Sequence, residues 1–600
     1  MNKQIPTRDQ LSPEDKWDLS SLFTSTEAWD QALEQMKEMI PKISAYEGSL
    51  DSSPETLASC LRLFNEIGIL HERLEYYAFL NYAGDANSSE NQARMGTITQ
   101  VSSEAAAGFS FFEPELLAVD EHRMKQLITS PEVQPFAVKL GKLLRYRPHT
   151  LSQKEERILA LQRETQDTPS NAFEALTNVD IDYGTVVTDE GELPLSQSTL
   201  ASFLTHPDGA VRKQAYDTFY SRFEQHQHTL AALFTGSVKQ DVYQARVRNF
   251  PSARAMALFP DQVNEEVYDG LVTTVREGLP LLHRCYELKR RRNNLPELRH
   301  CDLYLPFVQE VKTHYPFDQA VDEVCRAVSP LGTEYTSILR EGLTGGWVDK
   351  YENRGKRSGA FSAGSYTGYP YILMNYKEDV LRDLFTLAHE GGHSMHSYYS
   401  GRNNPFQHYS YTIFEAEVAS TFNEQLLGAS LLEQNDDPAM EAYIIGKQLD
   451  DITATIFRQT MFAEFEQVIH AAYEGGTPLT TDLLRSSYRD LMTDYLGESV
   501  ALEPVSDLEG LRIPHFYRAF YVYKYATGLS AALALSRQVL QGDRDERDQY
   551  LQFLSSGGST YPIDSLKRAG VDMSSPEPVR AALQTFSDLL DRMELLLGSL

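Results

Sequence analysis

Cysteine is scarce: Cys60, Cys285, Cys301 and Cys325 are the whole complement of a 600-residue chain, and no two form a Cys-x-x-Cys pair. That spacing excludes a disulfide framework and a thiolate metal site, and leaves ordinary, partly buried thiols. Long apolar runs are missing too. No stretch of about 18 apolar residues occurs, and Met1-Asn-Lys-Gln-Ile-Pro-Thr-Arg-Asp9 has no apolar core of the signal-peptide kind. The expected setting is cytoplasmic, without a membrane partner. Basic residues are few beside acidic ones, 55 against 85, for a formal net charge of −30. Such an excess argues against nucleic acid as a partner. Neither a repeat at roughly 20–50-residue spacing nor a low-complexity tract is found. What is present is a 42% share of hydrophobic residues, enough for a large core and more than one subdomain.

From Leu19 to about Thr177 the pattern is one of successive amphipathic helices, such as Trp29–Ile40, Pro54–Gly84 and Gln153–Thr165. Asp51-Ser-Ser-Pro54 and Asp85-Ala-Asn-Ser-Ser89 punctuate them. Tyr76, Tyr77, Phe79 and Tyr82 recur at helical spacing and read as core. Thr185-Val-Val187 and Leu193-Pro-Leu195 flank Asp189-Glu-Gly191, a short hairpin with a glycine turn. The change of pattern divides the chain into a helical domain, residues 1–180, and a larger one, residues 181–600. Helices resume over Asp208–Gln240 and Asn264–Arg292, where Lys289-Arg-Arg-Arg292 reads as a solvated C-terminal cap. His226 and His228 are two apart and cannot share a metal on one helix face.

The chemistry concentrates in Phe385-Thr-Leu-Ala-His389-Glu390-Gly-Gly-His393-Ser-Met-His396. Residues four apart share a helix face, so His389 and His393 can grip one metal ion, while Glu390, one residue round, is placed to polarise a metal-bound water. This is the pattern of zinc-dependent peptide hydrolysis. Val380, Leu381, Leu384, Phe385, Leu387 and Ala388 recur at helical spacing, with Glu378 and Asp379 at the start. The predicted helix ends at Ser400, with Gly401 and Pro405 beyond. Gly391 and Gly392 each cost on the order of 1 kcal/mol relative to Ala in a helix interior. Something must therefore pack closely there, whether a strand, another backbone or a substrate.

Catalytic zinc usually takes three protein ligands. His396 lies i+7 from His389, about 10 Å up the axis, so a single helix does not readily supply all three. Glu417 is the better candidate. Thr412 and Glu415 form a Thr-x-x-Glu capping box that starts a second helix, and Glu417 faces inward with Ser420 and Glu424 on the same side. Glu424 is placed to hydrogen-bond the free nitrogen of a ligating histidine. Before the motif, Gly355, Gly359, Gly364 and Gly368, with Tyr366, Tyr369 and Tyr371, read as a loop able to lie against a ligand. Tyr371–Tyr376 reads as a strand whose edge is a candidate for pairing with a substrate backbone. Near the C-terminus, His515 precedes Tyr517, Tyr521, Tyr523 and Tyr525. Imidazole and phenol are suitable neutral donors to an oxyanion. Tyr517, Tyr521 and Tyr525 fall on one helical face and Tyr523 on another.

Gly359-Ala-Phe-Ser362, Pro370-Tyr-Ile-Leu-Met-Asn-Tyr376, Thr386 to Ser397, Phe414-Glu-Ala-Glu-Val-Ala-Ser420 and His515 to Gly528 together resemble oligoendopeptidase F, the bacterial branch of the thimet-oligopeptidase family. The resemblance runs over roughly residues 200–590, and the N-terminal part is similar to that family's helical extension. It implies a mainly α-helical fold with a small β-sheet and a zincin-type catalytic core, in a two-halved ellipsoid with a deep substrate channel. It also implies a cytoplasmic zinc endopeptidase that cleaves internal bonds of short unstructured oligopeptides. By the same resemblance, one Zn2+ per chain is held by His389, His393 and Glu417, and Glu390 is the general base toward a zinc-activated water. His515, with Tyr521 and Tyr525 as alternative partners, would hold the oxyanion. Two positions depart from the family pattern: Gly391 stands where a larger apolar residue is common, and Ala519 where many relatives have proline.

Overall fold

The computed structural model describes residues 5–308, 311–542 and 544–599. Helices dominate. The helix Pro54–Gly84 has the bounds its pattern predicts, because Ser53 accepts from the Thr56 N–H and Pro54 occupies the first turn, where no N–H is needed. The first long helix runs Thr26–Ile43. Thr185–Thr188 and Gly191–Pro194 form the expected antiparallel hairpin, with Gly191 at φ +115° closing the turn. The segment read as one helix over Asn264–Arg292 is two, Glu265–Glu277 and Leu279–Arg292. Pro280 starts the second, and a Cβ at Gly278 would press into Leu583. Its basic end is a solvated cap at Arg291 and Arg292, which are exposed, but not at Lys289. Lys289 is buried and pairs with Asp450 at 2.7 Å, Arg290 pairs with Glu287, and Arg291 pairs with Glu594. The four cysteines are buried free thiols, and among the described residues no helix is long and apolar enough to cross a membrane.

The chain groups into two compact units, each assembled from three stretches. The first comprises Met1–Thr150, Lys312–Glu433 and Leu535–Val571; the second comprises Leu151–Val311, Gln434–Ala534 and Asp572–Leu600. Residue 181 falls inside the second. In the first unit Trp29, Met36, Leu74, Ala78 and Ile98 share a core with Tyr371 and Leu373. Those last two belong to a three-stranded sheet in the order Val348–Asp349, Pro370–Leu373, Phe361–Gly364, the first pair parallel and the second antiparallel. Pro370–Leu373 is thus the central strand, buried throughout. The reading of Tyr371–Tyr376 as an available edge is corrected: Val348–Asp349, too short to show as a strand pattern, covers that side, and the edge is Phe361–Gly364.

Candidate active site

The motif helix spans Leu381–Asn403, running through Gly401 to stop before Pro405, with Glu378 and Asp379 ahead of its first turn. It carries His389 and His393 one turn apart. The second helix, Ile413–Gln434, begins without the expected capping box: the Thr412 hydroxyl has no hydrogen-bond partner among the described residues, and Glu415 is buried. Packing holds the two helices in register. A methyl on Gly392 would overlap the Ala419 carbonyl and come within 2.8 Å of Ser420 Cα, so only glycine permits this backbone approach. At Gly391 the nearest atom to such a methyl is Leu339 Cδ1 at 3.3 Å, tight but not closed. On its other side the motif helix meets the edge strand, where Gly364 leaves no room for a Cβ against Ser397 and the hydroxyls of Ser362 and Ser394 lie 2.8 Å apart.

This packing brings together one ligand atom each from His389, His393 and Glu417, all within 4.8 Å of one another. Glu417 Oε2 lies 3.6 Å from His389 Nε2 and 3.8 Å from His393 Nε2. Tetrahedral zinc with bonds near 2.0–2.1 Å needs ligand–ligand edges of about 3.3–3.4 Å, so the two Glu417–imidazole separations match zinc to within a few tenths of an ångström, and two imidazoles with a carboxylate are a donor set that fits it. Glu424 Oε1 accepts from His389 Nδ1 at 2.7 Å, which orients the ring with Nε2 toward the cluster. Burial lowers the His389 imidazole, but the hydrogen bond and charge of Glu424 together with the charges of Glu390 and Glu417 carry the group up to about 9. Ser420 Oγ donates to Glu417 Oε2 at 3.2 Å. His396 is outside the ligand set: it is buried, its ring stacks on Tyr411 at 3.6 Å, and burial pushes it down to about 3.

Beside the cluster lies a cleft of about 490 Å³, lined by Glu390 and by Ala360, Phe361, Ser362 and Gly364 along the edge strand. Glu390 is 6% exposed and its Oε2 has no protein partner among the described residues. Burial pushes its carboxyl up to about 7 against the opposing charge of His389, with Glu417 and Glu424 adding to the rise. Tyr76, Tyr409 and Tyr411 also line the cleft. Helical spacing groups Tyr76 with Tyr77, Phe79 and Tyr82 as core. Tyr76, Tyr77 and Phe79 all pack against the core, and Tyr76 also lines the cleft, whereas Tyr82 of the same helix is exposed. One turn before Tyr76, Glu72 accepts hydrogen bonds from the Tyr409 hydroxyl and from the Tyr366 N–H, a tie that sequence reasoning missed. The spacing of Glu72 and Tyr76 was its one available signal.

His515, Tyr521 and Tyr525 lie in the second unit. They do not share a helix with Tyr517. Pro514–Tyr517 is a single 3-10 turn, the chain reverses at Phe520 with φ +58°, and a new helix runs Tyr523–Gln541. The reversal brings three rings together: His515 stacks on Tyr521 with centroids 5.7 Å apart, and Tyr525 stands edge-on to both, at 6.3 and 5.8 Å. Tyr517 instead packs on Phe173, and Tyr523 is buried against Tyr268. Burial lowers the His515 imidazole, and its Nδ1 has no partner among the described residues.

Two imidazoles and a carboxylate, borne by helices that also present a partnerless buried carboxyl to a strand-walled cleft, are the parts of a metallopeptidase. Comparison with known proteins places the chain more narrowly. It matches peptidase family M3 over residues 202–585 and the family described as oligopeptidase F over residues 115–183. It is 42% identical to oligopeptidase PepF of Bacillus subtilis over 596 residues, covering 99% of this chain and 89% of that one. To an oligoendopeptidase F homolog of Borreliella burgdorferi it is 39% identical, covering 98% and 99%. The crystal structure of oligoendopeptidase-F from Enterococcus faecium superposes with a TM-score of 0.75 at 31% identity, covering 96% and 99%. The chain belongs to peptidase family M3, and it is a metalloendopeptidase.

Proposed function

We propose that this enzyme is a zinc-dependent endopeptidase acting on short unstructured oligopeptides, with His389, His393 and Glu417 holding one zinc ion and Glu390 serving as general base. The observation that carries this reading is the convergence of the three ligand atoms with Glu424 fixing the His389 ring. When bound, zinc supplies Lewis acidity, acidifying water and polarising a carbonyl. Glu390 takes the proton of the attacking water and returns it to the departing amine. Its place inside the cleft, with one oxygen unengaged by protein, supports that role. Among the described residues no further strand flanks Phe361–Gly364, so its outer edge is available to an extended peptide, which gives affinity with little side-chain selectivity. His515, with Tyr521 or Tyr525, donates to the oxyanion. The names of the relatives support oligopeptides as the substrate class.

The test is mass spectrometry of products from a mixed set of unstructured peptides, half of them C-terminally amidated, with zinc-loaded wild type and Glu390→Gln of matched metal content. Internal cuts that survive amidation and vanish in the variant are expected. Release of dipeptides from free C-termini alone would overturn the endopeptidase reading, and equal cleavage of a folded protein would overturn the substrate class.

A further inference from the structure

The tyrosine and histidine rings of the second unit are brought together by one backbone reversal, and that reversal is held from a distant helix. Phe520 adopts φ +58°, a left-handed conformation that an L-residue with a large side chain enters only at a steric cost. Its ring is gripped on two sides, by His470 at 4.6 Å and Tyr268 at 6.0 Å between centroids. Its N–H points at Glu466 Oε1, 3.0 Å away.

Glu466 lies in the helix Gln459–Glu474 and is 0% exposed. Among the described residues no cation pairs with it, and its Oε2 has no partner. An ionised carboxylate so placed would be expensive. Burial, with Asp241 adding to it, holds the Glu466 carboxyl well above the usual carboxylate range, opposed by the Phe520 hydrogen bond. A buried acid without a cation serves no ion-pair network, and among the described residues its side chain's one hydrogen bond is to the amide of the strained residue. The same helix secures the cradle elsewhere: His470 Nδ1 lies 2.8 Å from the Glu466 carbonyl and the Tyr268 hydroxyl donates to the Ala463 carbonyl at 2.6 Å.

We propose that Glu466 is a positioning residue that anchors the left-handed Phe520 and thereby sets Tyr521 and Tyr525 against His515. This rests on the reading of those three rings as oxyanion donors. Glu466 touches no substrate; it acts through the turn. Because only an acceptor oxygen on a neutral side chain is required, glutamine serves as well as the native acid, whereas an apolar residue of similar length leaves the Phe520 N–H buried and unpaired.

The test compares zinc-loaded full-length Glu466→Gln, Glu466→Met, His515→Ala, Tyr521→Phe and the double variant Glu466→Met with Tyr521→Phe. Each is measured for kcat and KM on one oligopeptide, zinc content, and amide hydrogen exchange across residues 518–522. Glu466→Gln is expected to keep kcat and KM within about twofold. Glu466→Met should lose about 100-fold in kcat with KM nearly unchanged, as misplaced groups do, while retaining zinc and exchanging faster at residues 518–522. Added to Tyr521→Phe it should cost little more, because both act on the same donor. The proposal is overturned if folded Glu466→Met retains wild-type kcat, if its kcat and zinc content fall together, or if Glu466→Gln loses as much as Glu466→Met. Should the Met variant fail to fold, Glu466→Gln decides alone: a loss of kcat well beyond twofold overturns the proposal. If His515→Ala and Tyr521→Phe both keep full kcat, the oxyanion reading has failed and the proposal falls with it. If they lose kcat while Glu466→Met does not, only the role of Glu466 is overturned.

Discussion

The two clusters of chemistry-bearing side chains are held in opposite ways. In the first unit His389, His393 and Glu417 sit on two continuous helices whose backbones meet at Gly392, so the positions of the ligands follow from helix geometry and one missing Cβ. In the second unit His515, Tyr521 and Tyr525 sit on a 3-10 turn, a strained loop and a helix start, and their meeting depends on a carboxyl contributed from Glu466. The first arrangement is local and rigid. The second relies on a hydrogen bond between segments 54 residues apart. A metal cluster demands fixed ligand spacing, whereas an oxyanion contact is needed only when charge develops on the substrate.

This contrast can be broken at several points. The largest effect is expected at Glu390: Glu390→Gln should lower kcat by about 10²–10⁴, the range of general acid–base catalysis, without loss of zinc, read by single-turnover kinetics and metal analysis together. Retained turnover would remove Glu390 from the chemistry. Next is Glu424→Ala, which frees the His389 Nδ1 and should weaken zinc affinity about 10–100-fold, measured by competition with a chelator of known affinity. By contrast, Tyr521→Phe should leave zinc affinity untouched, and equal weakening in both variants would dissolve the distinction between the clusters. Gly392→Ala follows. Its methyl meets backbone that cannot rotate away, so overpacking should cost about 1–3 kcal/mol in unfolding free energy, read from denaturant midpoints. A neutral effect would mean that the helices slide and that the first cluster is not rigidly held.

The effect that starts smallest, growing from nothing at pH 4.5, concerns pH. Glu466 has an ordinary value of 4.5 and is raised in the fold by burial. A raised folded value means that the stability from this group is complete below 4.5 and is lost as pH rises toward the folded value. Glutamine does not titrate. The stability of Glu466→Gln relative to wild type should therefore grow by about 1.4 kcal/mol per pH unit above 4.5 until the folded value is reached, followed by chemical denaturation at a series of pH values. Asp241 and His470, which lie against this region, are common to both proteins. A difference that stays flat from pH 4.5 to neutrality would show Glu466 ionised in the fold.

Legibility in the sequence follows the same division. Pro54–Gly84 could be bounded from Ser53, Pro54 and apolar spacing, because caps and periodicity are local. The approach at His389 and His393 was readable from their i,i+4 spacing, and the two adjacent glycines signalled close backbone contact, which the structure places at Gly392 against Ala419 and Ser420. The Thr412 cap was misread because Glu415 is drawn into the interior. The edge strand was assigned to the wrong segment because Val348–Asp349 is too short to announce itself. Periodicity also suggested one helix through Tyr517, Tyr521 and Tyr525, and nothing local at Phe520, a residue with no preference for positive φ, signals a reversal. The cause is Glu466, and long-range hydrogen bonds to backbone leave no spacing to read.

The most direct measurement is zinc K-edge X-ray absorption on the zinc-loaded enzyme and on Glu417→Gln. One zinc per chain, with two imidazole nitrogens and further oxygen ligands at about 2.0–2.1 Å and no sulfur, and a weakened or altered shell in Glu417→Gln, is the result this account predicts. Sulfur in the first shell, or a spectrum and stoichiometry indifferent to Glu417, would contradict it.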